Sequence, residues 1–239
     1  MNGPNKSRLA ANLANVRARI GAACARAKRD PRDVTLVAVT KSVGPELTEQ
    51  LLELGVTDIG ENRLQAAQDK FPLIPALQLR KKVTRHFIGH LQTNKVRPVL
   101  EMFDVIHSVD TVKLAEEISK RSVQAQKEIS CFLELNVSGE DSKEGMPPQE
   151  ANAALEHLAK LPHIRWLGLM TMAPLGAKVE LVRRVFRDLR ECAGQASSNG
   201  LLPRPASLSM GMSNDFEIAI EEGATHVRVG TALFEGLHT

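Results

Sequence analysis

The sequence predicts an α/β protein of the (β/α)8 TIM barrel class with an extra N-terminal helix. Apolar, β-branched runs alternate with amphipathic helical patterns along the chain, and there are about eight such pairs. The length of 239 residues is typical of this barrel. A doubly wound open sheet is the alternative, but the sequence lacks the glycine fingerprint of its dinucleotide-binding members. Because no linker interrupts the pattern, we expect a single domain over residues 1–239.

The N-terminal segment predicts the extra helix. Leu9, Leu13, Val16 and Ile20 recur at helical spacing, and the pattern leads directly into the first strand. The first 29 residues contain several arginines and no Asp or Glu, as organelle transit peptides do. The continuity with the first strand favours an amphipathic helix of the mature fold.

The remaining elements follow in order. Apolar, β-branched runs predict strands at 34–41, 56–59, 85–88, 104–107, 129–137, 164–168, 206–209 and 225–229. Helical spacing predicts helices at 47–54, 61–70, 92–100, 111–124, 148–161, 178–197, 214–222 and 231–234. Gly44-Pro45 ends the first run, and a polar loop with glycines follows the fifth.

Composition excludes several classes of protein. Apolar residues make up 43% and charged residues 25% of the chain, as in ordinary globular domains. The net charge of +3 and the absence of a basic stripe with aromatics argue against a nucleic-acid partner. No apolar stretch is long enough to cross a membrane. The three cysteines are far apart, which fits neither a disulfide framework nor a zinc site. We expect a cytoplasmic protein without a metal, and a monomer or weak dimer.

Chemically distinctive residues fall at the carboxyl ends of the predicted strands, where barrels of this class carry their sites. Lys41 ends the first strand and Arg228 the last, and closure of the barrel makes these strands neighbours. An ammonium buried at a strand end is costly, and a desolvated lysine amine forms Schiff bases with aldehydes and ketones. The alternative is a lysine that extends from the strand end into solvent.

The loops after the last two strands predict a phosphate site. Ser209, Gly230 and Thr231 offer hydroxyl groups and accessible backbone N–H groups. Asp215, in the first turn of the next helix, would repel a phosphate there. A phosphate beside a lysine and an arginine indicates a phosphorylated carbonyl ligand, and pyridoxal 5′-phosphate (PLP) fits best. The lysine would hold the aldehyde, and the arginine could face the pyridine nitrogen. A Schiff-base aldolase acting on sugar phosphates is the alternative.

Several segments carry a resemblance to a known family. They are LVAVTK (36–41), GEN (60–62), HFIGHLQTNK (86–95), NVS (136–138), SKEG (142–145), GLMTM (168–172), LSMGMS (208–213) and VRVGTALF (227–234). In these segments the chain closely resembles the pyridoxal phosphate homeostasis proteins. These are single-domain PLP-binding barrels related to the N-terminal domain of alanine racemase.

The resemblance implies a set of cofactor-binding residues. They are Lys41, Asn62, Ser209, Arg228, Gly230 and Thr231. Lys41 would carry PLP as an aldimine, Arg228 would face the pyridine nitrogen, and Asn62 would lie near the ring hydroxyl. The other three would bind the phosphate.

The resemblance also implies a function in intracellular PLP homeostasis, as a buffer of PLP or a source for acceptor enzymes. We expect no robust catalysis, because alanine racemases use a lysine and a tyrosine from a second domain, whereas this chain contains no tyrosine. A permanent arginine cation should also keep the pyridine nitrogen unprotonated and weaken the ring as an electron sink. The alternative is a weak PLP-dependent amino-acid racemase or lyase, with His86 or His90 as the second base.

Overall fold

The computed structural model describes residues 4–78, 82–140 and 144–237, and within them eight parallel strands close into one barrel. The strands are β1 (Thr35–Val39), β2 (Asp58–Glu61), β3 (Thr84–Phe87), β4 (Val105–Val109), β5 (Ile129–Glu134), β6 (Ile164–Met170), β7 (Ser207–Met212) and β8 (His226–Val229). Each strand pairs with the next along the chain, and β8 pairs with β1.

The helices surround this barrel. They are α1 (Pro4–Arg26), α2 (Pro45–Glu53), α3 (Leu64–Lys70), α4 (Pro75–Gln78), α5 (Val96–Met102), α6 (Val112–Gln124), α7 (Ala151–Leu158), α8 (Val179–Ser198), α9 (Phe216–Glu221) and α10 (Thr231–Phe234). Short 3-10 turns lie at Pro31–Asp33, Phe71–Leu73, Thr93–Lys95 and Pro148–Glu150. The predicted (β/α)8 barrel with an N-terminal helix is confirmed.

Several element boundaries differ from the predictions. The first strand stops at Val39, two residues before Lys41, and the fifth stops at Glu134. The third helix begins at Leu64, because Glu61 still belongs to β2. These differences fall at the carboxyl ends of strands, where the chain leaves the sheet for the loops of the barrel mouth.

Most apolar side chains are buried between the strands and the surrounding helices, not inside the barrel. A small apolar cluster of Val105, Phe132 and Met170 is separate from that main core. These three alternate along their strands with Ile106, Leu133 and Leu169 of the main core, which places them on the inner face of the sheet. Much of the remaining interior is polar, unlike the branched aliphatic layers typical of this fold. The buried polar residues include His86, His107, Ser209 and Arg228.

Helix α1 packs against α9, α10 and α2 and buries the apolar stripe that the spacing predicted. Leu9, Leu13, Val16 and Ile20 are all buried. Asn12 Nδ2 also donates to the carbonyl oxygen of Leu233 over 3.0 Å, which ties α1 to α10. None of the helices in the described ranges combines the length and apolar character that a membrane span requires.

Candidate ligand site at the barrel mouth

Lys41 lies at the mouth of the barrel but is not buried. Strand β1 ends at Val39, Thr40 is fully buried, and the chain then turns so that Lys41 is exposed. The expectation of a desolvated lysine at a strand end is therefore wrong, because the strand stops earlier than the apolar pattern suggested. Lys41 forms no hydrogen bond or ion pair with any residue that the structure describes.

The turn that carries Lys41 is held from outside the barrel. The Lys70 ammonium on α3 donates to the carbonyl oxygens of Thr40 (2.7 Å) and Val43 (3.3 Å) and forms a buried ion pair with Glu61. The Thr40 hydroxyl donates to the same Glu61 carboxylate over 2.5 Å. We call Thr40, Glu61 and Lys70 the outer brace. The Glu61 side chain points outward and pairs with Lys70, and Lys70 fixes the backbone on both sides of Lys41.

Arg228 lies inside the barrel on the strand next to β1. It pairs in register with Val37, so the two side chains lie on the same inner face. Its guanidinium donates to Ser209 Oγ over 2.5 Å and to the carbonyl oxygen of Thr171 over 3.1 Å. Burial lowers the pKa of Arg228 to about 10, although the carboxylates of Glu134 and Asp215 act against this shift. Arg228 therefore remains a cation at neutral pH.

Ser209 is completely buried, and its hydroxyl is already engaged. The oxygen accepts from Arg228 and lies 2.7 Å from Nδ1 of His107. A contact between this hydroxyl and a phosphate stays a prediction. The observed contacts instead indicate that Ser209 holds Arg228.

The turn at Gly230 presents convergent backbone donors. The N–H groups of Gly230 and Ala232 both donate to Ser213 Oγ, over 3.2 and 3.3 Å. Thr231 lies between them and is exposed. The Asp215 carboxylate instead accepts from the N–H group of Met212 over 2.5 Å. Binding of a phosphate at the Gly230 turn stays a prediction.

Ser213 reaches this turn because of Gly211. Gly211 has a φ of +93°, and a Cβ there would come within 2.8 Å of the Phe216 backbone. Only glycine accommodates both the left-handed conformation and the close packing. The sequence predicted no role for Ser213, which appeared only as the last residue of the LSMGMS segment (208–213).

Asn62 follows β2 and is half-buried at the mouth. Gly89, after β3, packs directly on its backbone, and a Cβ on Gly89 would lie 2.9 Å from Asn62 Cα. Within the described part of the chain, its side-chain amide has no hydrogen-bond partner. The amide is therefore available for a ligand.

Glu134 is a mouth residue that sequence reasoning missed. It ends β5 on the same inward face as Phe132 and is buried, with 4% of its surface exposed. No residue in the described ranges lies within hydrogen-bonding distance of its carboxyl group. Burial raises the pKa of Glu134 to about 7; Arg228 opposes this, and nearby Asp110 and Glu144 add to it. Its spacing of two from Asn136, in the NVS segment (136–138), was the sequence signal that could have identified it.

The two histidines considered as second bases have different surroundings. His86 is buried in the barrel interior, where its ring contacts Asp58 (3.0 Å) and His107 (2.8 Å). It is therefore not free to meet a ligand at the mouth. His90 is exposed, with Nδ1 3.4 Å from Asp110 and 3.5 Å from Glu144. The side-chain nitrogen and oxygen atoms of His90, Asp110 and Glu144 that could bind a metal ion lie within 4.8 Å of one another.

The chain is similar to known proteins over nearly its whole length. The sequence model of the alanine racemase N-terminal domain matches residues 5–237. The pyridoxal phosphate homeostasis protein of Aquifex aeolicus is 42% identical over 224 residues, which cover 93% of this chain and 95% of the relative. The protein of the same name from Pseudomonas aeruginosa is 41% identical over 228 residues, or 95% of each chain.

A solved structure repeats this likeness. PipY of Synechococcus elongatus, determined with PLP bound, superposes with a TM-score of 0.83 at 33% identity. The superposition covers 95% of this chain and 99% of PipY.

Proposed function

The chain belongs to the family of the pyridoxal phosphate homeostasis proteins, and we propose that it binds PLP at the barrel mouth, covalently through Lys41. The observation that carries this proposal is the placement of two basic side chains, with Lys41 just after β1 and Arg228 on the neighbouring β8. Lys41 is exposed and unengaged within the described residues, whereas Arg228 is buried and fixed. When bound, PLP supplies an aldehyde that a primary amine can condense with.

The residues at the mouth fit the chemical groups of PLP. A phosphate at the Gly230 turn would replace Ser213 Oγ as the acceptor for the N–H groups of Gly230 and Ala232, and the exposed Thr231 would add its hydroxyl. The guanidinium of Arg228 suits the pyridine nitrogen, and the unpartnered amide of Asn62 suits the ring hydroxyl. Ser209 would contribute through Arg228.

The same residues favour storage and delivery over catalysis. Arg228 is a cation at neutral pH, and a cation beside the pyridine nitrogen disfavours the protonated ring that stabilises carbanions. The chain contains no tyrosine to act as the second base of a racemase. An exposed Lys41 is also open to exchange with an incoming amine. We therefore propose an intracellular PLP buffer that passes PLP to lysines of acceptor enzymes.

Reduction with borohydride tests the covalent link. The protein incubated with PLP should absorb visible light, and mass spectrometry after reduction should find one pyridoxyl group on Lys41. A pyridoxyl group on Lys95 or Lys143 would identify another lysine as the partner; Lys143 lies outside the described residues. A protein that stays colourless in excess PLP would refute PLP binding.

Glu134 favours one second candidate, a weak PLP-dependent racemase or lyase. Its buried carboxyl group at the mouth titrates near neutral pH, which suits a general acid or base. Exchange of the α-proton of each enantiomer of small amino acids measures this activity. Exchange that is lost in both Lys41→Ala and Glu134→Gln would favour the enzyme; negligible exchange in the PLP-loaded protein would favour the carrier.

A further inference from the structure

A continuous chain of polar side chains crosses the barrel interior. Asp58 Oδ1 lies 3.0 Å from His86 Nε2, and His86 Nδ1 lies 2.8 Å from His107 Nε2. His107 Nδ1 lies 2.7 Å from Ser209 Oγ, which accepts from Arg228 over 2.5 Å. We call Asp58, His86, His107 and Ser209 the inner relay. It runs from the first residue of β2, at the closed end of the barrel, to the arginine at the mouth.

The two ends determine the direction of the terminal hydrogen bonds of the relay. Arg228 can only donate, so Ser209 Oγ accepts from it. Burial would raise the pKa of Asp58, but hydrogen bonds from His86 and Thr57 outweigh it and leave the pKa below its usual value. Asp58 is therefore an ionised carboxylate that accepts from His86 Nε2.

In the middle of the relay, one arrangement gives the Ser209 hydroxyl proton an acceptor and pairs every ring nitrogen. Burial, with the charges of His86, His226 and Arg228, holds the pKa of His107 well below its usual value, so this ring is neutral. With its proton on Nε2, His107 donates to His86 and leaves Nδ1 to accept the Ser209 hydroxyl proton. Donation thus passes from Arg228 through Ser209, His107 and His86 to Asp58.

The relay is complete within the protein. The buried side-chain atoms without partners in the described ranges belong to Gln50, Glu61 and Ser122, none of which is in the relay. A fully satisfied buried network is rigid, whereas loss of one member leaves the others unpaired. The barrel thus carries a costly polar interior where aliphatic residues would ordinarily pack.

Arg228 also faces competing partners. The carboxylates of Glu134 and Asp215 both act electrostatically on its guanidinium. Its guanidinium nevertheless donates to neutral oxygens, those of Ser209 and Thr171. Because the Ser209 proton is committed to His107, the serine oxygen presents its lone pairs to the arginine.

We infer that His107 and His86 are positioning residues, which hold the Arg228 guanidinium at the mouth against the attraction of Glu134. This inference deepens the proposed function, because the position of Arg228 matters most when it faces a pyridine ring. Neither histidine needs to touch the cofactor.

Histidine tautomers test the relay without any cofactor. Nitrogen NMR of the PLP-free protein should find the His107 proton on Nε2 and a proton on His86 Nε2 that is donated to Asp58. A proton on Nδ1 of His107 would reverse the bond to Ser209 and overturn the inference.

Glu134 reports where Arg228 lies. In His107→Leu, released Arg228 should approach Glu134 and lower the pKa of that carboxyl, measured by carbon NMR. His107→Asn should shift it less, because the amide oxygen replaces Nδ1 as acceptor for Ser209. His157→Asn is the control, since His157 is an exposed histidine outside the relay whose ring contacts Glu116 over 3.0 Å. If His107→Leu does not fold, Ser209→Ala should give the same shift. An unchanged Glu134 titration in the folded variants would overturn the inference.

PLP affinity completes the test. His107→Leu should lose about tenfold in affinity. The loss should be clearly smaller in a Glu134→Gln background, where Arg228 has no carboxylate to approach on β5. An equal loss of PLP affinity in the wild-type and Glu134→Gln backgrounds would contradict the idea that Glu134 competes for Arg228. A wild-type protein that takes up no PLP would refute the proposed function, while the tautomers and the Glu134 titration would still decide the relay.

Discussion

Lys41 follows β1 and Arg228 lies on the neighbouring β8, yet the protein holds the two side chains in opposite ways. The Lys41 side chain is exposed and unengaged within the described residues, and only its backbone turn is fixed, by the outer brace. The Arg228 side chain is buried, and its guanidinium itself is fixed by Ser209 and Thr171. The mouth thus combines an exposed, unpartnered amine with a fixed charge, which suits a site that must attach and release a ligand in one orientation.

The largest expected effect comes from removing the Lys41 amine. Lys41→Ala should abolish the pyridoxyl adduct found after borohydride reduction, because the amine that forms the bond is gone. PLP should still bind noncovalently through the phosphate contacts, which an equilibrium titration can measure. Lys95→Ala is the control and should keep the adduct; retention of the full adduct in Lys41→Ala would mean that another lysine reacts.

Removing the outer brace should cost stability. Lys70→Met leaves the Glu61 carboxylate buried without its cation, and the free energy of unfolding should fall by roughly 3–5 kcal/mol. Urea denaturation measures this change. The double variant Lys70→Met, Glu61→Gln should recover much of the loss, since no unpaired charge remains. A single variant as stable as the wild type would show that the pair does not support the turn.

Glu134 should make the stability of the folded protein depend on pH. Its pKa is about 7 when folded against 4.5 for an ordinary glutamate, so the folded protein binds the extra proton between these values. Stability should therefore fall as the pH rises across that interval, by up to about 3 kcal/mol. Glu134→Gln should lack this decline in urea titrations of the PLP-free protein at about pH 5 and about pH 8. Parallel curves for both proteins would contradict the buried-carboxyl assignment.

The smallest effect is expected at the rim. Thr231→Ala should weaken PLP binding by about 1–2 kcal/mol, the contribution of one hydrogen bond to a charged phosphate. An absorbance titration measures the affinity, and Thr93→Ala, at an exposed threonine outside the predicted site, should leave it unchanged. Unaltered affinity in Thr231→Ala would mean that the phosphate binds elsewhere.

The sequence pattern predicted some of this site correctly. It placed Arg228 at the end of the last strand and beside the first, and the pairing of β8 with β1 confirms that placement. It failed for Lys41, because an apolar run does not say where a strand leaves the sheet, and two residues decide between burial and exposure. It also assigned Glu61 to a helix, although Glu61 ends β2 and pairs with Lys70 on the outside of the barrel.

The inner relay was beyond any local pattern. His107 and Ser209 are 102 positions apart in the chain, and only barrel closure brings their side chains to 2.7 Å. Glu134 was within reach of period-two reasoning, but its unusual pKa depends on burial and on charges from other strands.

By itself the sequence determined the order of strands and helices, the amphipathic first helix and the end of the barrel where the chemistry lies. These depend on hydrophobic periodicity, which is local. The tertiary structure alone decided which basic side chain is exposed and which is buried, how the buried polar groups pair and which carboxyl group has a raised pKa. Those properties depend on burial and on contacts between distant strands, because hydrogen bonds and electrostatic shifts in a protein interior are set by the neighbours that folding brings together.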